Sequence, residues 1–241
     1  MLAAEAMRLA AIEVLCPTAA LAANAGYPTL AGRAVADSRA VALEDIDHAA
    51  VYTPALSLHT RSSAIERRGE AADETDNACL AVLEVIGELA VVARDKDGAF
   101  ADAMAADDPD ARLVLSALMS QVRFLLEFSQ AGHLFRDTII GVRRIEEETF
   151  GAPELGVRYQ RVTMRITAAV PDDRFDVAAG GMPEPLKSLQ SSLPVGSYSK
   201  AKLAQLAAAF AADPRPALDK VTILGAPDGE PIASTGDLKD A

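Results

Sequence analysis

The longest run of carboxylates in the chain is Glu146-Glu147-Glu148, and three acids in a row invite a cation site or an acid-base pair. On a strand, neighbouring side chains point to opposite faces, so only Glu146 and Glu148 stand together. A solvated strand end accounts for them; repeated around a ring of copies, they would line a pore or partner surface with acid. Arginines flank this run, as Arg143-Arg144 before it and Arg161 and Arg165 after it, and more stand at Arg39, Arg61, Arg67 and Arg68. Exposed arginines are either a solvated face or subunit contacts, where arginine is enriched. A ring must set basic patches of one subunit against acidic patches of the next. The candidate interface set is therefore Arg39, Arg61, Arg67, Arg68, Arg143, Arg144, Glu146, Glu148, Arg161 and Arg165.

Other chemistry is hard to find. His48, His59 and His133 are scattered, without His-x-His or HExxH spacing. There is no GxSxG, no GxxxxGK[ST] and no GxGxxG. Cys16 and Cys79 lie far apart and read as two ordinary buried thiols in a reducing cytoplasm. His133, Arg136 and Asp137 form the one polar cluster that could tempt an enzyme reading, and a core-adjacent loop explains them better. No catalytic residue, metal ligand or cofactor is expected.

The elements that position these residues follow from spacing. Of the 241 residues 50% are hydrophobic, enough for one main core with an extension, and the formal charge of -12 argues against a protein that grips nucleic acid through its phosphates. Leu2, Met7, Leu9, Ile12 and Leu15 predict an amphipathic N-terminal helix ending at Cys16-Pro17, with an alanine-rich turn to Asn24. No uninterrupted apolar run of membrane-spanning length is seen, and the N-terminus does not read as a signal peptide. Short extended segments are expected at Ala34 to Arg39 and Ala49 to Thr53, joined by an acidic turn from Leu43 to Asp47. A strand from His59 to Ile65 precedes a long charged loop. Cys79 to Arg94 has the two-residue period of a half-buried strand, with Gly87 at a bend or bulge.

Asp107-Asp108-Pro109 opens a second helix whose buried stripe is read as Leu113, Ala117, Met119, Phe124, Leu125 and Phe128. Thr138 to Phe150 and Gly156 to Val170 form a hairpin, and in its second arm Val162, Met164, Ile166, Ala168 and Val170 alternate with Arg161, Thr163, Arg165 and Thr167. The proline- and glycine-rich stretch after Val170 reads as a surface linker, followed by a helix from Tyr198 to Ala211 and a hairpin around Asp228-Gly229. The expected class is α/β (α+β), a mixed or antiparallel sheet of about four to five strands with helices packed on it. Residues 1–170 form the main domain and 171–241 a linker with a helix-and-hairpin extension.

The segment from Ala34 to Thr53, with its strand ending Asp37-Ser38-Arg39, its acidic turn and its Val51-Tyr52, resembles the tail terminator proteins of long-tailed bacteriophages, of the lambda minor tail protein U type. Gly141 to Glu148 with Val157 to Val170 is similar to that family's closing hairpin. The resemblance covers about residues 1–170. It departs at His48, where relatives tend to have proline, in the long loop after Tyr52, and in the extension after Val170. It implies a non-enzymatic virion protein: a homo-hexameric ring that caps the tail tube, stops polymerisation of the major tail tube protein, and offers a head-tail joining surface to the connector or stopper protein. A sheath protein is a further partner if the tail contracts. Genome DNA would pass through the lumen without specific binding, and no membrane is involved. The alternatives are another neck or connector component of the same particle, or a small cytoplasmic α+β enzyme.

Overall fold

A computed structural model describes residues 1–40, 45, 52–66, 78–95, 98–103, 109–151, 160–176 and 180–210. The chain is α/β in class, with helices stacked on one face of a mixed, six-stranded sheet. The strands are β1 (Val35–Asp37), β2 (Thr53–Glu66), β3 (Ala78–Asp95), β4 (Gly98–Ala103), β5 (Gly141–Gly151) and β6 (Gln160–Ala169). Their order is β1-β2-β3-β6-β5, and β4 pairs with the far end of β3. Among the described residues only β1–β2 is parallel; the other ladders are antiparallel. The path of five strands matches the expected mixed sheet of about four to five, and β4 joins off that path because β3 is long enough to serve β2, β4 and β6.

Strand β2 starts well before the expected His59 and tolerates Pro54 near its beginning. The Leu56 N–H donates to Ala34 O on the β1 side, and backbone groups alternate, so Pro54 turns its nitrogen the same way, beyond β1's three residues. No ladder bond is lost there. Gly87 forms no bulge: it pairs in register with Leu56 and Val162. A Cβ there would collide with Met119 Cε, so the glycine admits a helix side chain close to the sheet. The shift in β2 lies at Thr60/Ser62 instead.

The helices are α1 (Leu2–Leu15), α2 (Thr18–Ala23), α3 (Pro109–Arg123), α4 (His133–Arg136), α5 (Leu186–Ser192) and α6 (Tyr198–Ala209). Helix α1 is not amphipathic as expected. Its alanines are buried alongside Met7, Leu9, Ile12 and Leu15, because the sheet covers one side while α4, α5 and α6 cover others. With α2 it makes a 22-residue stretch apolar enough to cross a membrane, but most of it is buried inside the protein as core. Asn24, at a φ of 48°, closes α2 in the left-handed region, and Glu13 accepts from the Thr18 N–H and hydroxyl at its start.

Helix α3 begins with Pro109, as its sequence predicts, and runs on into a π-helical turn, Phe124–Phe128. Its buried stripe differs from the expected one. Leu115, Leu118, Met119, Val122, Leu125 and Leu126 are buried in the core, while Leu113, Phe124 and Phe128 are 66%, 59% and 65% exposed and Ala117 is also exposed. Both sides of the helix are apolar at helical spacing, so periodicity alone could not tell which side meets the sheet.

The stretch after Val170 is not a surface linker throughout. Met182, Leu186, Leu189 and Leu193 join the same core as α1 and the sheet, and α5 was not anticipated. Helix α6 follows the expected Tyr198 start, with Ser197 capping through the Lys200 N–H and Ser199 Oγ donating to Leu9 O on α1 at 2.7 Å. The expected segment from Ala49 to Thr53 lies outside the described residues except for Tyr52 and Thr53, as do the acidic turn except Asp45, the charged loop beyond Glu66, and the C-terminal hairpin.

Candidate functional site

The period of two in β3 and β6 sorts their side chains onto two faces. Leu83, Val85, Met164 and Ile166 meet the helices, while Glu84, Glu88, Arg161, Arg165 and Thr167 point away. Strand β5 extends the second face with Arg144, Glu146, Glu148 and Phe150, opposite Thr167, Arg165, Thr163 and Arg161 respectively. The result is a grid of arginine and glutamate across β2, β3, β6 and β5.

Its hub is Glu84 on β3. One of its carboxylate oxygens accepts from Arg61 Nη1 on β2 at 2.6 Å and from Arg165 Nε on β6 at 2.9 Å, and Arg165 Nη1 reaches Glu148 on β5 at 2.9 Å. Burial pushes the Glu84 carboxyl up, but the hydrogen bonds and charges of Arg165 and Arg61 outweigh it and hold its pKa below the ordinary glutamate value. Hydrogen bonds to Glu84 and Glu148 push Arg165 up, so both members stay charged across the physiological range. At the rim, Arg144 meets Glu146 at 2.8 Å, and the Arg161 guanidinium lies 5.3 Å from the Phe150 ring centre.

Of the candidate interface residues, the fold brings together Arg61, Arg165 and Glu148 in one chain of ion pairs, with Arg144, Glu146 and Arg161 beside it. Arg143 is the extra residue where the β5–β6 register shifts between Val142 and Arg144, and it is exposed. Arg39 stands apart, past the end of β1, and Arg67 and Arg68 lie outside the described residues. Glu84 was missed as the centre of the grid. Its outward direction was readable from the period of β3, but its two arginine partners come from strands 23 and 81 residues away.

Asp37, of the Asp-x-Arg segment, serves the fold: it is ion-paired with Arg8 of α1 and accepts from the Tyr198 hydroxyl at 2.9 Å. Beside it a cavity of about 190 Å³ is lined by Cys16, Glu13, Arg33, Arg39, Asp45 and Tyr198 among others. That is below the roughly 300 Å³ at which ligand pockets begin. Burial, then the charges of Glu13 and Asp45, raise the Cys16 pKa to about 11 against a lowering pull from Arg33, which leaves a poor nucleophile. Cys79 is also free and buried.

Two members of the cluster that invited an enzyme reading, His133 and Arg136, line an open hollow of about 600 Å³ and are engaged with backbone carbonyls. Arg136 donates to Leu126 O at 3.0 Å and Ser129 O at 2.9 Å, satisfying carbonyls at the end of the π-helical turn, and His133 Nδ1 lies 3.0 Å from Gln130 O. Among the described residues no group of three His, Cys, Asp or Glu side chains is arranged to hold a metal. What the sheet face can do is mate with another charged surface. No protein-family model matches the chain, and neither a curated protein nor a solved structure matches it.

Proposed function

We propose that the chain is a structural assembly protein, a tail terminator of a long-tailed phage that works as a ring of identical subunits on the end of the tail tube. The observation that carries the reading is the arginine–glutamate grid on the sheet face away from the helices, whose polar rows are ordered by backbone register and alternate in sign. Such a surface suits mating with neighbours of matched charge, since like charges set against each other are strongly disfavoured. The exposed Leu113 on α3, with Phe124 and Phe128 on the π-helical turn that follows it, adds apolar surface of the kind found where proteins meet.

A cap of this kind needs no reaction. A tube that grows by head-to-tail stacking stops when its end is covered by a subunit that fits the tube on one side and rejects a further tube subunit on the other. The net charge of -12 suits a lumen past which DNA slides.

The test is tube assembly in vitro from the tube subunit of the same particle. Substoichiometric chain should arrest growth and sit at tube ends in electron micrographs. Tubes of unchanged length would refute the cap and leave the connector reading.

A further inference from the structure

Strand β5 is an edge: it pairs with β6 on one side, and among the described residues no strand pairs with it on the other. Edges are normally guarded by proline, by a bulge, or by charges of one sign that repel a copy. Strand β5 carries a bulge at Arg143, yet it has no proline, and its charges are of both signs, segregated along the strand as Arg143-Arg144-Ile145-Glu146-Glu147.

That five-residue segment reverses its charge about its own centre. An antiparallel copy placed with Ile145 opposite Ile145 sets Arg144 against the second copy's Glu146 and Glu146 against its Arg144. All four of these lie on the grid face, because residues directly opposed in a sheet share a face. Arg143, at the bulge, adds a second positive charge near the second copy's Glu147 at either end. A parallel, in-register copy sets like charge on like and is rejected. Ile145 is half-buried on the helix face and packs against the core, so its mate would extend that apolar layer. The Arg144–Glu146 pair inside the chain is 69% and 46% exposed, and an exposed pair of that kind exchanges partners at little cost.

We propose that two copies of the chain join through β5 in an antiparallel, two-fold seam centred on Ile145. The contact is isologous, so it closes at two subunits and does not propagate. It goes beyond the ring reading and does not depend on it, since a ring of six needs a different, head-to-tail contact. Main-chain hydrogen bonds would supply adhesion, and the charge order would supply direction and register.

The experiment is cross-linking of Ile145→Cys, with Cys16 and Cys79 both buried and giving little background. Opposed residues in an antiparallel ladder lie within disulfide reach. Mild oxidation should trap a covalent dimer of twice the 25.2 kDa chain. Charge variants in the otherwise native chain test the register by sedimentation. Arg143→Glu with Arg144→Glu should weaken the dimer at least tenfold, and Glu146→Arg with Glu147→Arg should do the same. Mixing the two should restore a one-to-one dimer.

The seam is overturned if Ile145→Cys fails to cross-link, if the native chain sediments as a monomer at high micromolar concentration, or if the mixed charge variants stay apart. A hexamer that does not cross-link through Ile145→Cys would refute the seam while leaving the ring reading standing.

Discussion

Asp173 offers a sharp test of how the C-terminal part of the chain supports its beginning. Its two carboxylate oxygens accept from the backbone N–H groups of Leu2 and Ala3, at 2.8 and 2.7 Å, so the first turn of α1 is capped by a residue 171 positions away. A side-chain cap contributes about 1 kcal/mol, within a range of roughly 0.5–2, because it satisfies amides the helix leaves unpaired. A carboxylate beside the positive end of the helix dipole adds about 0.3–1 kcal/mol. Asp173→Ala should therefore cost about 1.3–2 kcal/mol, and Asp173→Asn, which keeps one acceptor and loses the charge, about half that. For a chain of this size the alanine variant corresponds to a fall of roughly 3–8 °C in melting temperature.

Urea unfolding followed by circular dichroism measures the loss, and hydrogen exchange locates it. The first-turn amides of α1 should exchange faster in the variant while those of β6 follow only the global change. A loss below about 0.3 kcal/mol, or one without faster exchange at Leu2 and Ala3, would show that the cap does not act as described.

Gly87→Ala should destabilise by about 1–3 kcal/mol by driving a methyl into Met119, and Met119→Ala by about 2–5 kcal/mol through a cavity. In urea titrations the double variant should cost at least ~1 kcal/mol less than the sum, and additivity would deny the contact. Leu189→Ala on α5 should lower the stability of the whole chain by about 2–4 kcal/mol and shift its single cooperative transition, whereas a separate appendage would unfold in its own transition without moving the main one. Because the Glu84 pKa is lowered in the folded protein, its contribution is fully present above the ordinary value of 4.5 and is lost as pH falls through the lower folded value. The stability gap between the parent and Glu84→Gln should accordingly shrink below pH 4.5, and a gap that widens on acidification would reverse the sign assigned to its arginine partners.

Local rules made much of this protein legible in its sequence. The stop at Pro17, Pro109 opening α3, and the strict alternation of β3 and β6 all depend on contacts within a few residues, so spacing and cap chemistry were sufficient. The same alternation put Arg161, Arg165, Glu146 and Glu148 on outward rows before any pairing was known.

What the tertiary structure decided are choices between partners that look alike locally. Both sides of α3 repeat apolar residues at helical spacing, and only the sheet selects Leu118 and Met119 over Leu113 and Phe124. Gly87 reads as a bend until Met119 is seen in the space a Cβ would fill. Burial of α1 on several sides, the hub at Glu84 and the Asp173 cap join residues tens to more than a hundred positions apart. No local spacing encodes such contacts, because their free energy appears only when the chain has closed the loops between them.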